Sequence, residues 1–129
     1  MRVTAGSLKG RRLEAPNVPG LRPSSDRLRQ TLFNMLAHGR HAGSLEGARV
    51  LDGFAGSGAL GIEALSRGAA HVTFMEQDRG ALAALRRTLA DFDLEDAATV
   101  IAADVTQPPS AVRGRAAALV FLDPPYDSG

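Results

Sequence analysis

Apolar positions along the chain change their spacing near residue 49. Before it, residues 2–6 and 11–15 alternate on either side of Ser7-Leu8-Lys9-Gly10, the pattern of a hairpin closed by a glycine-containing turn. Pro16, Pro19, Gly20 and Pro23 then exclude a helix interior, so that stretch reads as an extended linker. Ser24 or Ser25 caps a helix whose apolar face is Leu28, Leu32, Met35 and Leu36 and which ends near Gly39. Residues 38–47 are polar and glycine-containing and separate this N-terminal unit from the rest of the chain.

From Arg49 onward, short apolar runs alternate with segments of helical period. Val50-Leu51 reads as a buried strand ending at Asp52, and residues 59–67 as a short helix stopped by Gly68. Val72-Thr73-Phe74-Met75 predicts the second strand, and a helix from about Arg79 carries Leu82, Leu85 and Leu89 on one face. Thr99-Val100-Ile101 predicts the third strand, residues 108–113 a turn or short helix opened by proline, and residues 118–122 the fourth strand. Such a β-α-β-α-β-(α)-β string specifies an α/β fold, a parallel sheet with helices on its faces. Two units are expected: a hairpin and helix over residues 1–45, and the sheet over residues 46–129. There is no internal repeat and no low-complexity tract.

Composition narrows the class. The 129 residues, 44% hydrophobic and 22% charged, suit one globular domain and exclude wholesale disorder. Without cysteine there is no disulfide framework and no thiolate metal site. No apolar run approaches the ~20 residues of a membrane helix, and no signal-peptide core opens the chain, so a soluble cytoplasmic protein is expected. Fourteen of the 15 basic residues are Arg, which reads first as base-composition bias. The net charge of +1 conceals a split: residues 1–45 hold eight basic and two acidic residues, and the remainder seven and twelve. A basic face meeting a polyanion explains that segregation, and a merely solvated N-terminus is the bland alternative.

Asp52-Gly53-Phe54-Ala55-Gly56-Ser57-Gly58-Ala59-Leu60-Gly61 joins the first strand to the first helix. Glycines let the backbone turn sharply and approach a ligand, while the amides opening the helix face its carboxylate or phosphate. Glu76, at the end of the second strand, is placed to accept from two ribose hydroxyls, and Asp104, after the third, from the exocyclic amine of a purine. Together they outline a site for an adenosine-containing ligand at the carboxyl ends of the strands. Residues 56–61 also fit G-x-G-x-x-G, with an acid about 20 residues further on, as a nicotinamide dinucleotide requires. In that pattern the first glycine stands at the strand end, whereas here Asp52 stands there and Phe54-Ala55 intervene. An acid at the strand tip repels a pyrophosphate but suits the α-amino group of a methionine moiety. S-adenosylmethionine is therefore favoured, with a ligand-free glycine-rich turn as the bland reading.

The second motif is Asp123-Pro124-Pro125-Tyr126, after the fourth strand. A nucleobase exocyclic amine is a poor nucleophile because its lone pair is delocalised into the ring. The Asp123 carboxylate and the Pro124 carbonyl can accept its two protons and localise that lone pair toward a methyl donor. Consecutive prolines fix the backbone that aims both groups. Tyr126, the sole tyrosine, can stack on a base drawn out of its helix. An incidental proline-rich loop is the alternative.

Residues 51–69 together with Asp123-Pro124-Pro125-Tyr126 resemble class I S-adenosylmethionine-dependent N-methyltransferases. Three N-terminal blocks narrow the likeness: Gly6-x-x-Lys9-Gly10-Arg11, Leu21-Arg22-Pro23-Ser24-x-Asp26-Arg27-x-Arg29, and Leu32-Phe33-Asn34-x-Leu36. In that combination the chain resembles the RsmD family. The resemblance implies methylation of the guanine N2 amine in 16S ribosomal RNA, within an assembling small subunit, with no metal and no membrane. It makes Asp123, Pro124 and Tyr126 catalytic, and Asp52, Phe54, Gly56, Gly58, Glu76 and Asp104 cofactor-binding. Lys9, Arg11, Arg12, Arg22, Arg27 and Arg29 are assigned to the RNA backbone, with Arg27 also a candidate for the methionine carboxylate. Gln30, Thr88 and Gly53 depart from the family pattern without touching the methyl-transfer chemistry.

A Rossmann-like sheet of this class resembles seven strands in the order 3-2-1-4-5-7-6. The chain stops three residues after Tyr126. Only strands 1–4 are then expected, and the sequence reads as truncated, with strand 4 an exposed edge and the short chain poorly soluble and inactive. Other readings are a DNA N6-adenine or N4-cytosine methyltransferase, a non-catalytic module binding S-adenosylmethionine or RNA, and a nicotinamide-dependent oxidoreductase.

Overall fold

The computed structural model describes residues 2–13, 30–31, 33–34, 45–53, 55–56, 58–103 and 119–121. Four strands, β1 (Arg49–Asp52), β2 (His71–Glu76), β3 (Ala98–Ala102) and β4 (Leu119–Phe121), form one sheet in the order β3-β2-β1-β4. All three pairings are parallel, with Asp52 opposite both Phe74 and Phe121. Helices α1 (Ala59–Ser66) and α2 (Arg79–Asp91) provide the first two crossovers, and a 3-10 turn, Glu95–Ala97, leads into β3. The α/β architecture and strand order expected from the sequence are thus present. From β1 the chain runs outward on one side to β2 and β3, and β4 lies on the other side. In sheets of this kind such a reversal marks the ligand-binding position, here at the carboxyl ends of β1 and β4.

The elements form where their residues can be buried. In α2, Ala81, Leu82, Ala84, Leu85, Thr88 and Leu89 recur with helical period and are buried against the sheet. Asp78 caps its start, accepting from the Ala81 amide at 2.8 Å. Thr88, one of the departures from the family pattern, is buried and satisfies its hydroxyl on the Ala84 carbonyl at 3.1 Å. Helix α1 is enclosed almost all round, from Ala59 to Ser66. It lies so close to β2 that a Cβ on Gly61 would collide with the Phe74 ring and sit 2.9 Å from Val72 Cγ1. Gly58, the N-cap of α1, has φ +94°, a conformation that side chains disfavour.

The N-terminal residues share this core. Among the described residues the hairpin has one antiparallel bridge, Arg2 to Arg12, closed by bonds between Val3 and Arg11 and between Gly10 and Val3. Its Val3 and Leu13 are buried in the same cluster as Ile62, Val72 and Phe74. Residues 30, 31, 33 and 34 are helical. Phe33, absent from the apolar face expected for that helix, is fully buried in that cluster. The Arg67 guanidinium covers its ring, 5.0 Å from the centroid. Leu28, Leu32, Met35 and Leu36, the proline linker, and the turn at 108–113 lie outside the described residues. No helix among the described residues is long and apolar enough to cross a membrane.

Candidate functional site

The loop from β1 to α1 is stitched to the end of β2. The Ala55 amide donates to the Met75 carbonyl at 3.0 Å, and the Gly56 amide donates to Glu76 Oε1 at 2.8 Å. Gly56 has φ +57° and Gly58 +94°, so the loop turns twice through backbone space suited to glycine. The other oxygen of Glu76 accepts from the Gln77 amide at 3.0 Å and the Asp78 amide at 2.8 Å. Three backbone donors therefore orient this carboxylate, which remains partly exposed. Parallel pairing brings Asp52 and Glu76, ends of neighbouring strands, to one edge of the sheet. Asp52 is fully buried, and its Oδ2 accepts from the Gly61 amide at 3.2 Å, in the first turn of α1. A buried carboxylate on an opening helix amide both satisfies that amide and favours the helix dipole.

These positions bring together Asp52, Gly56, Gly58 and Glu76. Phe54, Asp104, Asp123, Pro124 and Tyr126 lie outside the described residues, as do Arg22, Arg27 and Arg29. Among the described residues, no group of His, Asp and Glu could hold a metal ion. The glycine loop and Glu76 fit an adenosine-containing cofactor in donor and acceptor type: amides and glycine backbone on one side, an oriented carboxylate on the other.

Of the basic residues, Lys9 and Arg12 are exposed on the hairpin. Arg11 is exposed too but engaged, with Nη2 donating to the Asp91 carbonyl at 3.2 Å and its guanidinium 4.4 Å from the Phe92 ring centroid. It pins the hairpin to the C-terminal end of α2.

A polar cluster not expected from the sequence pins the hairpin to α1. Glu63, fully buried, accepts from the Thr4 amide at 2.9 Å, the Thr4 hydroxyl at 2.9 Å and the Ala5 amide at 3.2 Å. Its Oε2 also pairs with Arg67 Nε at 2.9 Å, while Arg67 Nη2 donates to Thr4 Oγ1 at 3.0 Å and Nη1 to Asn34 Oδ1 at 3.4 Å. The Ser66 hydroxyl donates to the Ala5 carbonyl at 2.6 Å and accepts from the Leu8 amide at 2.9 Å, and the Ser66 carbonyl accepts from the Ser7 amide at 2.9 Å. A sequence signal for this existed. Glu63, Ser66 and Arg67 stand at i, i+3 and i+4, polar residues on one face of an otherwise apolar helix.

A family model described as Conserved hypothetical protein 95 matches residues 1–129. The chain is 43% identical over 129 residues to Ribosomal RNA small subunit methyltransferase D of Escherichia coli (strain K12), covering 100% of this chain and 62% of that protein. It is 34% identical over 127 residues to the protein of the same name from Buchnera aphidicola subsp. Acyrthosiphon pisum, covering 98% and 63%. This chain therefore spans somewhat less than two thirds of these curated relatives. A solved structure from Escherichia coli, named as a candidate methyltransferase, superposes with TM-score 0.78 at 37% identity over 98% of this chain and 64% of that one.

Proposed function

Because this chain belongs to the RsmD family, we propose that the protein transfers a methyl group from S-adenosylmethionine to the exocyclic N2 amine of a guanine in 16S ribosomal RNA. The observation carrying this reading is the glycine loop at the carboxyl end of β1, beside the reversal of strand order, with Glu76 held against it by the 2.8 Å bond from Gly56. When bound, S-adenosylmethionine supplies an electrophilic methyl group. Glu76, with one acceptor site left beyond its three amide donors, would accept from a ribose hydroxyl. Phe54, Gly56 and Gly58 would line the cofactor, and Asp104 would receive the adenine amine. Asp52 holds the start of α1 in register and presents carboxylate charge toward the methionine amine. The Asp123 carboxylate and the Pro124 carbonyl accept hydrogen bonds from the two N–H groups of the guanine amine, and Tyr126 stacks on the base. Lys9, Arg11, Arg12, Arg22, Arg27 and Arg29 meet the RNA backbone.

The substrate is the small-subunit RNA during its assembly in the cytoplasm, and the chemistry needs no metal. The test is methyl transfer from labelled S-adenosylmethionine to 16S rRNA, to duplex DNA and without acceptor, using the native protein. Incorporation into N2-methylguanine of the rRNA is expected. Incorporation into DNA adenine or cytosine would redirect the reading to a DNA methyltransferase. Cofactor binding without transfer to either acceptor would leave a binding module.

A further inference from the structure

We infer that Glu63, Ser66 and Arg67 are positioning residues that set the basic hairpin relative to the cofactor loop, with α1 as the rigid spacer between them. Helix α1 carries the glycine loop on its first turn, through Gly58 and the Gly61–Asp52 bond, and the hairpin on its last. Eight helical residues rise about 12 Å end to end. A displacement of the hairpin at one end therefore shifts the basic surface offered to the RNA, while the cofactor loop at the other end keeps its place.

The bonding pattern separates this arrangement from ordinary packing. Among the described residues the hairpin has one antiparallel bridge, and the amides of Val3, Lys9, Gly10 and Arg11 are satisfied within it. The amides of Thr4, Ala5, Ser7 and Leu8 are satisfied instead by α1: two by Glu63, one by the Ser66 carbonyl and one by the Ser66 hydroxyl. A segment whose backbone donors end on another element takes its conformation from that element. Apolar contact alone would tolerate sliding; charge-assisted bonds of fixed direction do not. Gly6 permits the approach: its φ is +86°, and a Cβ there would collide with the Ser66 carbonyl. Arg67 joins the helical residues at 33 and 34 to the same point, through Asn34 and the Phe33 ring. Two N-terminal segments, Thr4–Ala5 and Phe33–Asn34, thus converge on one largely buried ion pair. A buried pair is weak evidence for stability in itself, which leaves geometric definition as its distinguishing contribution.

The inference rests on the RNA methyltransferase reading. Its test uses Thr4→Val, which keeps side-chain shape but removes the hydroxyl that bridges Glu63 and Arg67, and Thr4→Ser, which restores it. Glu63→Gln is the stronger variant. Positioning predicts that KM for rRNA rises about tenfold or more in Thr4→Val, about 1.4 kcal/mol of RNA binding, because the hairpin is no longer fixed where the RNA meets it. The kcat at saturating RNA and the affinity for S-adenosylmethionine stay at wild-type values, and Thr4→Ser recovers the KM. An unchanged KM in Thr4→Val overturns the inference. So does a loss of kcat and cofactor affinity in step with a lower melting temperature, the signature of a purely structural role. A wild-type protein that binds S-adenosylmethionine but methylates no rRNA would instead overturn the functional reading, and this inference with it. The wild-type and variant arms thus fail separately.

Discussion

Glu76 is oriented before any ligand arrives, because amides from Gly56, Gln77 and Asp78 already define where its oxygens sit. A carboxylate offers about four lone-pair sites, so these three bonds leave room for a hydroxyl donor. Glu76→Ala removes both the acceptor proposed for the ribose and the tether of the glycine loop. Its expected outcome is S-adenosylmethionine binding weakened by ~1.5–3 kcal/mol, measured by calorimetry. Unchanged affinity would place the cofactor elsewhere. Asp123→Ala should behave oppositely, since its carboxylate is proposed to act on the amine and not on the donor. Loss of a group that acts in the transition state lowers kcat while cofactor affinity survives. Wild-type turnover in that variant would remove Asp123 from the mechanism.

At the scale of elements, helix α1 is defined by what it lacks. Alanine at position 61 would gain helix propensity of about 1 kcal/mol over glycine. Against that, its Cβ would enter the space of the Phe74 ring and approach Val72. Overpacking of a tight core costs ~1–3 kcal/mol, so Gly61→Ala is expected to lower the melting temperature despite its better propensity. A higher melting temperature would mean that α1 can lift off β2 without loss. These close approaches explain what was legible beforehand. The strands and α2 followed from short apolar runs and from a helical period that survives burial of one face. The positions of Asp52 and Glu76 followed from the strand ends, and those of Gly56 and Gly58 from the glycine-rich turn between β1 and α1. Phe33 did not, because counting one apolar face placed it outside the stripe, while the chain buries it under Arg67, far off in sequence. Nor did the role of Glu63, whose partner Thr4 lies 59 residues away. Its i, i+4 spacing to Arg67 marks a shared helix face but not what covers it.

Over the whole molecule, the segregation of charge acquires a physical shape. The basic excess of the first 45 residues begins on a hairpin whose backbone is bonded to α1 and whose Arg11 is bonded to the end of α2. A cation held on a rigid surface meets a phosphate without first giving up the freedom of a loose arm, which lowers the cost of binding. Lys9 and Arg12 are exposed, whereas Arg11 divides its guanidinium between the Asp91 carbonyl and the Phe92 ring. The three should therefore respond differently to substitution. Lys9→Ala and Arg12→Ala are expected to weaken rRNA binding and to leave the melting temperature unchanged. The slope of log affinity against log salt becomes shallower by ~0.7–0.9 for each phosphate that is no longer neutralised. Arg11→Ala should flatten the slope and also lower the melting temperature, because it releases the hairpin from α2 as well as removing a partner for a phosphate. RNA affinity measured across a salt series, beside thermal melts of the same variants, reads both effects. A slope unaltered by all three substitutions would return the basic hairpin to a solvated surface and leave recognition of the RNA to other residues.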